Sequence, residues 1–261
     1  MKLFDTHAHY NDEKFNEDME EILSAIKAEG VEKLVCVGYD LEGSKKATEI
    51  AKTHDFVYST CGISPNDIPQ SEEELWKVLS KITEILKNEK QKNKLVAVGE
   101  IGLDYYWNKE NAQLQKKAFI EQIKIANEFD LPIVIHTREA VMDTIEILRK
   151  NTVNNFGIFH CCPLNRELVK EALKLGFYIS FAGPVTFKNS KNANEIIQLV
   201  PLDRILIETD SPYLSPEPKR GQRNDSRNVK YIAQKIADVK NVPLEEIAKI
   251  TYDNALRIFK I

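Results

Sequence analysis

Short apolar runs rich in β-branched residues recur along the chain at a regular pace: LFDTHAH (3–9), KLVCVG (33–38), FVYSTCG (56–62), KLVAVGE (94–100), PIVIH (132–136), FGIFHC (156–161), FYISFAG (177–183) and RILIETD (204–210). Runs of this length with little polar alternation mark strands buried on both faces, as a parallel sheet requires. Between them the apolar spacing becomes helical. Met19, Ile22, Leu23 and Ile26 recur at i, i+3, i+4, i+7, as do Val229, Ile232, Ala233 and Ile236, while Val141, Ile145 and Leu148 recur at i, i+4, i+7. Eight strands alternating with helices predict an α/β fold, a single (β/α)8 TIM barrel in which residues 1–261 form one domain.

Local punctuation agrees. Gly30 and Gly176 end helical stretches just before the second and seventh strands, where a left-handed cap is wanted. Pro132 opens the fifth strand, where a missing N–H does little harm. NEKQKNK (88–94) reads as a short charged surface insertion. SPEPKRGQRNDSRN (215–228) reads as a long polar loop after strand eight, on the catalytic face of such a barrel and so a candidate substrate clamp.

Composition narrows the class. Apolar residues make up 43% and charged residues 29% of the 261, a balance able to bury a large core. There is no run of roughly eighteen apolar residues to span a membrane. MKLFDTHAHY carries no basic-then-apolar leader, so a cytoplasmic, monomeric protein with no membrane partner is expected. Cys36, Cys61, Cys161 and Cys162 lie in or beside apolar runs without CxxC spacing. They read as buried small hydrophobes, with Cys162, close behind His160, the weakest case. A net charge of −4 argues against holding long nucleic acid by overall electrostatics. Two bound divalent ions would add four positive charges locally, so contact with a short strand or an end is the form a nucleic-acid substrate would take.

Four of the five histidines, His7, His9, His136 and His160, stand at or just past strand ends, and Glu100 and Asp210 hold the same relative place. In a closed parallel barrel the strand C-termini ring one mouth, so these six side chains converge. Alternate residues of extended backbone share a face, which aims His7 and His9 inward and Ala8 away. Imidazole and carboxylate suit borderline divalent metals, six ligands exceed one tetrahedral site, and the two oxygens of Glu100 can bridge two ions. The rival reading, core histidines and caps, would bury unpaired polar groups at on the order of a few kcal/mol each. It is kept for His54, in a helix-like segment.

A two-ion pocket lowers the pKa of water from about 15.7 to about 7 and so provides hydroxide to attack phosphorus in line. Asp210 and Glu100 are the expected catalytic residues, with Asp210 placed to accept the water proton as well as to ligate. Arg138, two residues beyond His136, and Arg223 and Asn224 in the last loop are candidate phosphate contacts. Tyr105, Tyr106 and Trp107 follow strand four, where aromatic faces could stack a nucleobase. Packing of the loop is the alternative for all three and the favoured one for Trp107. Asp5, two residues before His7, reads as an orienting partner rather than a ligand.

The segments FDTHAHY, VGEIGLDYYW, PIVIHTREA, FHC and LIETDSPYL, together with Arg223 and Asn224, resemble the TatD-type metal-dependent deoxyribonucleases of the amidohydrolase-like superfamily. The resemblance spans essentially the whole chain. It implies that His7, His9 and Asp210 ligate one ion, His136 and His160 the other, and Glu100 both. It further implies nuclease activity supported by Mg²⁺ or Mn²⁺, commonly 3′ to 5′ on single-stranded DNA, with Zn²⁺ a frequent occupant in crystals. Where the family usually carries GxHP, this chain reads GISPND. Ser64 and Asn66 there can donate hydrogen bonds to a phosphate but bring no positive charge. Two other classes stay open: an ester or amide hydrolase on the same site, such as an aminoacyl-tRNA deacylase, and a metal-binding scaffold without catalysis.

Overall fold

A computed structural model describes residues 1–89 and 94–261; part of the charged insertion expected over 88–94 therefore lies outside the described residues. Eight strands alternate with helices: β1 (Leu3–Ala8), α1 (Met19–Ala28), β2 (Val31–Cys36), α2 (Leu41–Thr53), β3 (Val57–Cys61), α3 (Glu72–Glu89), β4 (Leu95–Asp104) and α4 (Ala112–Glu128) form the first half. The second half comprises β5 (Ile133–Arg138), α5 (Val141–Lys150), β6 (Gly157–Phe159), α6 (Arg166–Lys174), β7 (Tyr178–Phe181), α7 (Ala193–Leu199), β8 (Ile205–Ile207), α8 (Val229–Lys240) and α9 (Leu244–Phe259). The strands pair in sequence order, each parallel to the last. The ring closes where Ala8 bridges Ser211 in parallel, Asp210 N–H donates to His7 O at 2.9 Å and His9 N–H to Ser211 O at 2.6 Å.

The helical spacings seen in the sequence are the buried faces. Ile22, Leu23 and Ile26 of α1, Ile145 and Leu148 of α5, and Val229, Ile232, Ala233 and Ile236 of α8 are buried. Gly30 and Gly176 take φ of 92° and 86°, as their capping places require. Inside the barrel, Phe4, Val35, Val96, Val134, Ile158, Tyr178 and Leu206 meet Ala255, Ile258 and Phe259 of α9, which plugs the end where the strands begin.

Three strand ends differ from expectation in ways that shape the mouth. The fourth strand does not stop at Glu100 but continues to Asp104, pairing Gly102 with His136 and Asp104 with Arg138. A register irregularity between Val98 and Ile101 lets it do so, and such bulges re-aim side chains. Gly102 has φ 138°, and a Cβ there would stand 2.0 Å from His136 O. The sixth and eighth strands are shorter than expected, so His160 and Asp210 lie just beyond them. Asp210 takes φ 57°, a left-handed turn that aspartate tolerates better than most residues.

Candidate functional site

The six side chains expected at the mouth meet there. His7 Nε2 and His9 Nε2 are 3.1 Å apart. Glu100 Oε2 lies 3.4 Å from His7 Nε2 and 3.8 Å from His9 Nε2, and Asp210 Oδ1 lies 3.6 Å and 3.3 Å from the same two atoms. On the other side, His136 Nδ1 and His160 Nε2 are 3.2 Å apart, and Glu100 Oε1 is 2.9 Å from the first and 3.4 Å from the second. The two oxygens of one carboxylate thus face two different histidine pairs. His7 and His160 stack with centroids 3.9 Å apart, which joins the two halves.

The far nitrogens of these rings are mostly occupied by acceptors. His9 Nδ1 sits 3.1 Å from Val37 O and His136 Nε2 2.9 Å from Asp104 Oδ2. His160 Nδ1 lies 3.3 Å from Glu208 Oε1, without the alignment of a full hydrogen bond. An N–H donated outward leaves a lone pair aimed inward, the arrangement that prepares an imidazole to ligate. Lone pairs facing each other at 3.1–3.2 Å repel unless a cation or proton lies between them. Two atoms each about 2.1 Å from one tetrahedral ion stand about 3.4 Å apart, and the edges of both halves scatter around that value. His7 Nδ1 is buried with no partner. Three groups of facing ligand atoms fall within 4.8 Å: His7, His9 and Glu100; Glu100, His136 and His160; His7, His160 and Asp210. The donor set fits divalent ions.

Electrostatics point the same way. Burial alone would raise the Glu100 carboxyl, but the charge of His160 and hydrogen bonds from His136, His160 and His7 hold it well below the usual range. Desolvation works against a charged His160, yet Glu100 and Glu208 raise it well above the ordinary imidazole value. Burial and the neighbouring His160 charge lower His7.

The cavity above the cluster, about 860 Å³, is walled by Asp12, Asp67, Glu100 and Asp210 and, among the described residues, by one cationic side chain of the Lys/Arg type, Arg138. Ser64 and Asn66 line it. Ser64 Oγ donates to Asp67 Oδ2 at 2.5 Å, and Asn66 Nδ2 donates to Asp104 Oδ2 at 3.3 Å.

Other expected contacts are placed elsewhere. Arg223 is not on the wall: it donates to Asp18 Oδ1 at 3.0 Å and to Lys14 O at 2.6 Å, drawn off by a nearby carboxylate. Asn224 is fully buried, its amide donating to Thr209 O and Tyr213 O at 2.9 and 2.7 Å, so it clamps the last loop instead of meeting a ligand. Tyr105 packs on the core and donates to Asp143 Oδ2 at 2.7 Å. Trp107, for which packing was favoured, is 68% exposed and lines the cavity. Asp5 is buried as an organiser of the ring closure, accepting from Thr209 N, Thr209 Oγ1 and Ser226 Oγ at 2.5–2.9 Å. Burial pushes its carboxyl up to about 7 despite these donors. His54 faces Glu20 Oε2 at 3.0 Å at the end of α2. Cys36, Cys61 and Cys162 are buried, whereas Cys161, not Cys162, reaches the cavity.

Glu208 escaped the sequence reading although a signal was present. It lies two residues before Asp210, the same spacing that pairs His7 with His9. Asp104, expected after strand four within reach of the mouth, instead ends that strand, four residues beyond Glu100.

A family model described as TatD related DNase matches residues 4–260. The Bacillus subtilis protein YabD, an uncharacterized metal-dependent hydrolase, is 45% identical over 262 residues, 99% of each chain. YcfH of Escherichia coli K12, also an uncharacterized metal-dependent hydrolase, is 37% identical over 268 residues, 100% of this chain and 97% of its own. In fold, the crystal structure of the Escherichia coli K12 TatD homolog YJJV agrees with a TM-score of 0.92, covering 99% of this chain and 98% of its own at 24% identity. No helix among the described residues is long and apolar enough to cross a membrane. Sequence similarity over nearly its full length, on a barrel whose mouth gathers imidazoles and carboxylates, makes this chain a member of the TatD family and a metal-dependent hydrolase.

Proposed function

We propose that the chain is a deoxyribonuclease that cleaves phosphodiester bonds of single-stranded DNA, as a 3′ to 5′ exonuclease, with two divalent ions. His7, His9 and Asp210 would hold one ion, His136 and His160 the other, and Glu100 both. The observation that carries this reading is the division of Glu100, one oxygen toward each histidine pair. Divalent ions bound there would supply Lewis acidity toward a phosphoryl oxygen and lower the pKa of water.

The chain's own residues set the rest. The wall sets four carboxylates against one guanidinium and three imidazoles, so divalent ions held there would add the positive charge that a phosphodiester needs. Asp210 is our choice of general base: His9 and the neighbouring imidazolium charges hold its carboxyl below the usual range against desolvation. It is therefore ionised at neutral pH and can accept a proton. Arg138 and the second amide hydrogen of Asn66 lie along the wall, available to non-bridging oxygens, whereas the Ser64 hydroxyl hydrogen is given to Asp67.

The test is incubation with end-labelled single-stranded DNA and Mg²⁺, Mn²⁺ or Zn²⁺. Product ladders that disappear in Asp210→Asn, a change expected to lower the rate at least 100-fold, support the reading. A second reading, hydrolysis of a carboxylic ester at the same site, is tested by incubating the protein with charged tRNA and the same metals. Inertness on both would leave a metal-binding scaffold.

A further inference from the structure

Beyond the ligand cluster, the cavity rim carries an aromatic shelf that the chemistry above does not use. Trp107 is 68% and Tyr106 50% exposed, and their rings meet edge to face with centroids 4.8 Å apart at 87°. The Arg138 guanidinium lies 3.7 Å from the Tyr106 centroid and 5.5 Å from that of Trp107. An indole left in water at a pocket mouth forfeits burial that its size would reward, and exposed apolar surface beside a site marks a contact.

The shelf is held, not dangling. Asp104 Oδ1 accepts the backbone N–H groups of Tyr106 and Trp107 at 2.9 and 3.1 Å. Gln115 locks the same turn, accepting from Asp104 N at 2.8 Å and donating to Asp104 O and Asn108 O at 3.0 and 2.8 Å. The other oxygen of Asp104 accepts from His136 Nε2 at 2.9 Å. One buried carboxylate therefore indexes the aromatic turn to the ligand cluster. Across the mouth, the loop after β8 offers Tyr213, but its ring already has Lys14 Nζ 4.2 Å from its centroid and its hydroxyl donates to Asp12. Trp107 is the open face.

We propose that Trp107, backed by Tyr106 and Arg138, is a stacking subsite for an unpaired nucleobase next to the scissile phosphate. This rests on the nuclease reading. A π face beside a guanidinium matches a planar base joined to an anion, and stacking is indifferent to base identity. A base paired inside a duplex has no free face to offer, so the shelf selects single-stranded substrate.

The experiment compares a short oligothymidylate with the same strand carrying a tetrahydrofuran abasic residue beside the cleaved bond, in wild type, Trp107→Ala and Trp107→Phe. Loss of the base should raise KM roughly 5- to 100-fold in wild type. The ratio should fall toward one in Trp107→Ala and stay intermediate in Trp107→Phe. An equal ratio in wild type and Trp107→Ala overturns the subsite. As an independent binding readout, Trp107 is the sole indole in Trp76→Phe, because the chain has two tryptophans. Its fluorescence should quench saturably with uncleavable phosphorothioate oligothymidylate in the presence of Mg²⁺. Quenching without cleavage of any DNA would retain the shelf and sink the nuclease; cleavage with neither quenching nor discrimination would do the reverse.

Discussion

At the scale of single residues, what matters at the mouth is which atom of each side chain is already engaged. His160 presents Nε2 to Glu100 because Nδ1 is turned toward Glu208, itself buried and accepting from Cys161 N–H at 2.5 Å. Glu208→Gln keeps the volume but weakens the acceptor that orients the ring. Affinity for the ion proposed on the His136–His160 side should fall roughly 10- to 100-fold, read by competition with a chelating dye. Arg223 makes the opposite case, a charged residue whose partner removes it from the site. Its hydrogen bond and charge hold the Asp18 carboxyl below 3.8. A depressed acid contributes stability above its unfolded pKa and loses it as pH falls through the folded one. Arg223→Gln should therefore melt below wild type at pH 7, and the gap should narrow as pH drops below about 3.8, leaving the part due to the Lys14 carbonyl contact. KM for the DNA substrate proposed above should be unchanged, because Arg223 is off the cavity wall.

At the scale of elements, β4 and β5 form the hinge of the site. Glu100 and Asp104 come from β4 and His136 from β5, so their pairing register sets the distance between ligand and orienting carboxylate. Gly102 makes that register possible, since any side chain would strike His136 O and would need an unfavourable φ. Gly102→Ala should cost about 2–6 kcal/mol by adding strain to overpacking, seen as a lower urea midpoint. The apolar runs made this pair of strands legible, but not its length. A run ends on paper where polar residues begin, whereas β4 continues through Glu100 to Asp104 because β5 offers backbone partners. Short β6 and β8 differ the other way: the chain turns at Cys161 (φ 37°) and Asp210 (φ 57°), where Cys161 N–H donates to Glu208 and Asp210 N–H to His7 O.

For the whole molecule, the two ends of the barrel divide labour. The C-terminal end gathers polar, partly strained groups; the other is sealed by α9, with the Phe259 and Phe4 rings 5.9 Å apart. Conservation of function at one end and stability at the other is the general logic of this architecture. Phe259→Ala should cost about 3–5 kcal/mol in urea denaturation while leaving kcat and KM of the folded enzyme unaltered. The reverse pattern, full stability with altered kinetics, would mean that the sealed end communicates with the mouth.

The sequence by itself determined the barrel and the convergence of His7, His9, Glu100, His136, His160 and Asp210, because unbroken apolar strand runs and a helical period of 3.6 are local signals and a closed parallel barrel has one C-terminal mouth. Tertiary structure alone decided which charged and aromatic residues face the cavity. Arg223 is claimed by Asp18, 205 positions away, Asn224 by the carbonyls it clamps, and Tyr105 by Asp143, while Trp107 is left in water. Side-chain partners distant in the chain are invisible to any local pattern, and a loop residue's direction follows from whichever of them it finds.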